Sequence, residues 1–246
     1  MHSAIWIAIV MLFAMMTLAN PASAACNHTT VYGMLLNRYI YQDTGFLGYD
    51  DPVLQSGVTQ SCDSGWWFDL FNSSGLSTRG QYGKLEERDY ADEFDFTVSK
   101  ESEFASPLGA FQYQIFASYY LLSDFDHGSD DIIELRGELA RAFVLPESLG
   151  KITISPYMRV MEFIAFGAYK DQMIIRPGLR LSLPLGEALT FKSDLAVGFD
   201  LSSGVEIFRS DTGFDYALSK TTTLFTEVQT AENVKSALMA GFMRTF

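Results

Sequence analysis

The feature that most constrains this chain is an alternation of apolar and polar residues. It recurs in stretches of roughly ten to fourteen residues, each closed by a turn signal. In "DDIIELRGELARAF", Ile133, Leu135, Leu139 and Phe143 fall on one face and Glu134, Arg136 and Glu138 on the other. In "GAFQYQIFASYYLL", Phe111, Tyr113, Ile115, Tyr119 and Leu121 oppose Gln112, Gln114 and Ser118. "LTFKSDLAVGFDL" sets Phe191, Leu195, Val197, Phe199 and Leu201 against Lys192, Asp194, Gly198 and Asp200. "ADEFDFTVSK" alternates in the same way. Successive side chains of a strand point to opposite faces, so each stretch reads as a strand with one apolar and one polar side. Past the first two dozen residues helical periodicity is nearly absent, and the 20 Phe and 12 Tyr suit strands.

About twelve strands follow from this pattern. They begin near Thr29, Val53, Gly65, Ala91, Gly109, Asp130, Leu149, Asp171, Ala188, Asp211, Thr221 and Val234. No linker or helical insertion interrupts them, so residues 25–246 are expected to form one all-β domain, an antiparallel up-and-down barrel. A soluble lipocalin-like barrel would turn its apolar faces inward and needs only about eight strands. A membrane barrel turns them to lipid and keeps the polar faces inside. The connections favour the membrane barrel. Short links at 61–64, 105–107, 146–148, 184–186 and 219–220 alternate with mostly longer ones at 41–52, 74–90, 123–129, 163–170 and 202–210. Bacterial outer-membrane barrels have this arrangement, with short periplasmic turns and longer outer loops. An even strand number then returns both termini to the periplasm.

The two ends of the chain agree with that location. Residues 1–24 carry an apolar run, then Asn20-Pro21, then Ala22-Ser23-Ala24, which reads as a cleaved export signal. The chain finishes "SALMAGFMRTF", with Leu238, Ala240, Phe242 and Phe246 on one face. Phe242 and Phe246 resemble the C-terminal signal that the barrel-assembly machinery recognises in bacterial outer-membrane proteins, though Arg244 stands where an apolar residue is usual. Lys100, Arg141, Lys220 and Arg244 fall on the apolar row at the periplasmic ends of strands. Long basic side chains at that depth reach lipid headgroups.

Export places Cys26 and Cys62 in an oxidising compartment. Both lie at the same rim of adjacent strands, so a Cys26–Cys62 disulfide is expected, with lipidated Cys26 or two free thiols as the alternatives. No CxxC or histidine cluster accompanies them, so neither a metal nor a redox cofactor is expected. The formal charge of −13 argues against nucleic acid as a partner. Among the scarce histidines, His127 sits beside Ser129 in "SDFDHGSDD". A barrel enzyme acting on lipid would place such a pair at the outer rim, but the stretch is also ordinary Asp-Ser-Gly turn chemistry. Catalysis is therefore the weaker reading, and no catalytic residue is assigned.

The inward row is more informative. By alternation it holds Asp69, Asp95, Glu134, Arg136, Glu138, Arg159, Arg176, Arg180, Lys192, Asp194, Asp200 and Asp215. Such residues either line a wet channel whose field selects ions or pair across a narrow lumen and plug it. A twelve-stranded barrel lies between filled eight-stranded cans and open sixteen-stranded porins, so size leaves both open. A third possibility is a closed barrel whose loops serve adhesion or structure.

Three stretches carry a resemblance to a known family. "DDPVLQSGVTQS", "GWWFDLFNSSGL" and "DEFDFTVSKE" resemble strand motifs of the TorF-type porins, with Phe71 in place of Trp and Lys100 in place of an aromatic. The resemblance covers about Val31 to Lys100 and implies an outer-membrane, porin-like role, with no catalytic residue and no named substrate. The expectation is a passive or selective channel for small hydrophilic solutes, surrounded by outer-membrane lipids, with the 74–90 loop gating its mouth.

Overall fold

The computed structural model describes residues 25–40, 47–76, 93–122, 131–166, 171–204, 206–232 and 234–246. Its strands are β1 (His28–Leu36), β2 (Tyr39–Ile40), β3 (Leu47–Tyr49), β4 (Val53–Ser61), β5 (Trp66–Gly75), β6 (Glu93–Ser106), β7 (Gly109–Leu122) and β8 (Ile132–Ala140). They continue with β9 (Phe143–Val144), β10 (Thr153–Ala165), β11 (Gln172–Pro184), β12 (Leu189–Asp200), β13 (Glu206–Ala217), β14 (Thr222–Ala231) and β15 (Ala237–Thr245). Residues 1–24, His127, Ser129 and most of the 74–90 loop lie outside the described residues.

Each long strand pairs antiparallel with the next, and β15 pairs back onto β1, with Thr30 opposite Thr245 and Leu36 opposite Met239. The result is a closed barrel of twelve long strands. The short β2 and β3 form a separate hairpin, and β9 is a two-residue rung beside β10. Closure reaches the last residue: Phe246 N donates to Thr29 O at 2.8 Å. Both described ends therefore lie on one rim, called here the terminal rim. A ten-residue strand tilted about 40° crosses about 25 Å, the height of the apolar band of a membrane barrel.

The two faces separate by alternation. Leu70 (47%), Ile115 (46%), Leu238 (55%) and Phe242 (46%) stand exposed on the outer face. So do Leu54, Val58, Phe94, Leu139, Met158, Leu195, Phe208 and Leu224. An exposed apolar belt on every strand is not a soluble surface. It is the lipid-facing side of a membrane barrel, and the inward-apolar, lipocalin-like arrangement is excluded. At the terminal rim the outer row turns aromatic, with Phe104 stacked on Phe111 at 5.7 Å and Phe191 edge-on to Phe214 at 5.4 Å. Basic side chains settle on that girdle. Lys100 lies over Trp66 at 5.9 Å, Arg141 over Phe143 at 4.5 Å and Arg244 over Phe246 at 4.9 Å. Lys220 is exposed in the turn between β13 and β14.

Two strand starts differ from the sequence expectation. β10 begins at Thr153 rather than Leu149, because Pro146 opens a 3-10 turn over Glu147–Leu149 that ends at left-handed Gly150 (φ 83°). β13 begins at Glu206 rather than Asp211. The connection before it is a tight turn and not the longer 202–210 loop. Asp200 accepts from Ser202 N at 2.8 Å and from Ser203 Oγ at 2.6 Å, Gly204 N donates to Asp200 O, and Gly204 takes φ 72°. The side chain of Asp200 thus reverses the chain within a few residues.

The Cys26–Cys62 disulfide joins the segment before β1 to the turn after β4, across a separation of 36 residues. Asp63 N to Ala25 O (3.1 Å) and Gln60 Nε2 to Cys26 O (2.8 Å) hold the same junction. Replacing both cysteines by serine is expected to lower unfolding free energy by about 3–4 kcal/mol, from loop closure alone. Urea unfolding in micelles, with and without reductant, measures this. Val160→Arg, at mid-height on the outer face, is expected to cost about 2–4 kcal/mol in a bilayer. An interior or solvent-facing position would not pay that penalty, so unchanged stability in lipid vesicles would place the row elsewhere.

Candidate functional site: the barrel interior

Two constructions of the same kind brace the interior. On β1, Tyr32 stands opposite Gly57 of β4, and its hydroxyl passes over that strand to donate to Asp69 Oδ2 on β5 at 2.8 Å. On β10, Tyr157 stands opposite Gly178 of β11, and its hydroxyl passes over to Asp194 Oδ1 on β12 at 2.7 Å. A bond that skips a strand is possible only on the concave side, so these contacts also fix which face is inside. The glycines are required. A Cβ on Gly57 would sit 2.2 Å from the Tyr32 hydroxyl, and one on Gly178 would sit 2.3 Å from Tyr157 Cζ. Each ring lies flat on bare backbone, as aromatics do over sheet glycines.

The second strap anchors a charged network. Arg180 forks onto Glu138, Nη1 to Oε1 at 2.6 Å and Nη2 to Oε2 at 2.7 Å, across the intervening β10. Arg159 donates to Glu138 Oε2 at 2.9 Å, and Arg180 Nε reaches Asp194 at 3.2 Å. The Arg180 guanidinium lies 4.1 Å from the Tyr157 ring centre. Glu138 thus holds two arginines, and Arg180 lies between two carboxylates and an aromatic face. Bidentate arginine–carboxylate pairs are geometrically stiff, so this arc of wall, β8 to β12, is pinned.

The other residues predicted for the inward row are distributed around it. Arg136 donates to Glu134 at 2.7 Å and stacks on Phe116 at 4.1 Å, while Tyr120 also donates to Glu134. Lys192 pairs with Asp215, Arg176 is buried on β11, and Asp200 sits at the rim opposite the termini in its turn. Asp95 is buried at 7% exposure. Several interior groups were missed. Glu93 accepts from Tyr39, Glu101 from Trp67 and Gln114, and Glu227 from Gln229. Arg209 bonds Asp211 on the same strand. Glu93 and Glu101 follow the alternation of Asp95, so extending that strand in both directions would have found them. Arg209 was lost because β13 was begun at Asp211.

The interior is unequal along its length. Leu36, Val53, Ser73, Glu93, Glu134, Met161, Ile174, Arg209 and Gln229 are almost wholly buried, and all belong to the half remote from the termini. Tyr39 and Ile40, just after β1, turn back into that mouth. Tyr39 packs with Leu36, Val53 and Met239 and donates to Glu93 on β6, while Ile40 packs on Ala231 and Ala237. The half nearer the termini is open. It holds a cavity of about 470 Å³ flanked by Lys192, Asp194, Asp211, Asp215 and Glu227, and one of about 700 Å³ flanked by Glu101, Glu103, Gln114, Arg136 and Arg159. Arg180 borders both.

No protein-family model matches this chain, and no curated protein sequence matches it. Solved structures do. A KdgM porin aligns with TM-score 0.59 at 9% identity, covering 89% of this chain and 99% of that one. A KdgM porin in complex with disordered oligogalacturonate aligns at 0.57 and 8% identity, covering 89% and 99%. A NanC porin aligns at 0.54 and 8% identity, covering 88% and 98%. The fold is therefore that of the bacterial outer-membrane porins.

Gly178→Val and Gly57→Val are expected to destabilise the barrel by about 1–3 kcal/mol each, the usual cost of overpacking. Gly137→Ala, where an added Cβ meets nothing within 4 Å, is expected to be near neutral. The temperature at which unboiled protein loses its folded gel mobility ranks the three variants.

Proposed function

We propose that this chain is an outer-membrane channel of the porin kind, passing small hydrophilic solutes by passive diffusion through a charged lumen. The observation that carries the reading is the open, charge-lined half of the barrel, where two cavities of about 470 and 700 Å³ flank Arg180. In this reading residues 1–24 are a cleaved export signal, and residues 25–246 form the barrel. The terminal rim is periplasmic, which suits its turns, all short except the link over 141–152, and the cations on its aromatic girdle. Phe242 and Phe246 are then read by the barrel-assembly machinery, and Lys100, Arg141, Lys220 and Arg244 meet lipid headgroups. The strand motifs resembling the TorF-type porins are in keeping with this role.

The residues proposed to line the path are those of the inward row, from Asp69 through Asp215, together with Glu93, Glu101, Arg209, Asp211 and Glu227. Their balance is acidic. Arg136, Arg159, Arg180, Lys192 and Arg209 each meet a carboxylate. Asp69, Glu101 and Glu227 accept hydrogen bonds from neutral donors. Carboxylates left in excess in a low-dielectric wall favour cations. One structural neighbour was solved with an oligogalacturonate, a polyanion. The acidic interior here argues for a different solute.

Purified protein added to a planar bilayer is expected to give discrete current steps, smaller than those of an open sixteen-stranded pore because the half remote from the termini is packed. In a salt gradient the reversal potential is expected on the cation side. A folded barrel that passes no current would remove the channel reading.

A further inference from the structure

Several carboxylates gather on one arc of the packed half, and one of them has a buried oxygen that no donor reaches. Asp95 sits on β6 between Phe71 of β5 and Tyr120 of β7, its register partners on either side. Glu93, Asp69 and Glu134 all lie within electrostatic reach of it, and the Glu93 carboxyl shares a hydrogen bond with it. All three are served by tyrosines, Asp69 by Tyr32, Glu134 by Tyr120 and Glu93 by Tyr39, and Glu134 also pairs with Arg136. Asp95 is 7% exposed, and its Oδ1 is buried with no hydrogen-bond partner among the described residues. A buried carboxylate oxygen without a donor is costly, and the cost falls when a bound group supplies one.

The spacing says what kind of group that is. Among the described residues no three acidic, histidine or cysteine side chains converge closely enough to hold a metal ion. The acceptors are spread out, and aromatic rings stand beside them. A primary ammonium fits both conditions. It carries its own N–H donors to separate carboxylates, and its alkyl stem can lie on Phe71 and Tyr120, where the ring faces also favour the cation. Asp69, nearer the open half than Asp95, is only partly buried and offers the way in.

We propose that Asp95, with Asp69, Glu93 and Glu134, forms a binding station for the ammonium groups of aliphatic polyamines, so that organic amines are the solutes this interior selects. The station rests on the channel reading for its role in transport, but its binding is separable from conduction.

The probe is spermine. In bilayer recordings spermine is expected to block the wild-type current, and the half-blocking concentration is expected to rise about tenfold or more in Asp95→Asn, the loss of one charge-assisted contact. Glu134→Gln is a second, near-isosteric variant expected to shift it in the same direction. Folded gel mobility is checked for each. Glu147→Gln, in an exposed turn, serves as the unshifted control. A conducting wild type that spermine does not block, or a block equal in wild type and both acidic variants, overturns the station and leaves the channel standing. A wild type without current overturns the channel instead. Spermine titration by calorimetry in micelles then decides the station, which fails when wild type and Asp95→Asn bind alike.

Discussion

Everything in this molecule depends on β15 closing onto β1. Inside a bilayer no water is present to satisfy a backbone N–H or C=O, so a sheet with a free edge is not viable and closure is obligatory. The ladder from Thr30–Thr245 to Leu36–Met239 removes the edge. The terminal Phe246 completes it through its own N–H to Thr29. Phe246 is thereby the last rung of the seam, bonded to Thr29 in both directions. Closure then decides the rest. It makes one face convex and one concave, sends Leu238 and Phe242 to the lipid, and commits every charge on the alternate row to a confined interior.

That confinement explains the two tyrosine straps. A polar side chain in a narrow lumen is half-desolvated, and it is stable only when its hydrogen bonds are met by neighbours. Tyrosine is long enough to cross one strand, provided the strand in between offers no Cβ. Gly57 and Gly178 meet that condition. Around the ring, β1-β4-β5 and β10-β11-β12 are six strands apart among twelve, so the straps stand on opposite walls. Each orients an aspartate, and their surroundings then diverge. Asp194 is drawn into the arginine network through Arg180, whereas Asp69 accepts from Thr59. The same backbone device therefore supports a neutralised wall on one side and an acidic one on the other.

Much of this was legible in the sequence, and the reason is geometric. A strand's period of two ties burial to residue parity, so Ile133 against Glu134, or Phe199 against Asp200, gives the barrel, its strand number and its two faces. The cysteine pair followed from both cysteines lying at one rim. Register was not legible. Whether Tyr157 meets Gly178 depends on how far β10 slides along β11, and no local pattern states that. Turn chemistry was misread at Asp200, where Ser202, Ser203 and Gly204 close a tight turn and free Glu206–Ser210 to join β13. The inward turn of Tyr39 and Ile40 was also hidden, because they sit in a connection rather than in an alternating run.

The uneven filling of the lumen follows from these same pieces. The barrel interior is wide enough that wall side chains alone leave space, as they do around Arg180, where long side chains lie along the wall and bond to one another. Closing the other half takes material from outside the wall, and the turn after β1 supplies it: Tyr39 reaches Glu93 and Ile40 reaches Ala231 and Ala237. Because Tyr39 ends on β6 and Ile40 on β14 and β15, this single turn braces strands on both sides of the seam. A segment placed there narrows the mouth without altering the sheet, so constriction and wall are independent parts of the design. Charge can then be arranged on the wall by strand alternation, while width is set by a turn that the alternation does not govern.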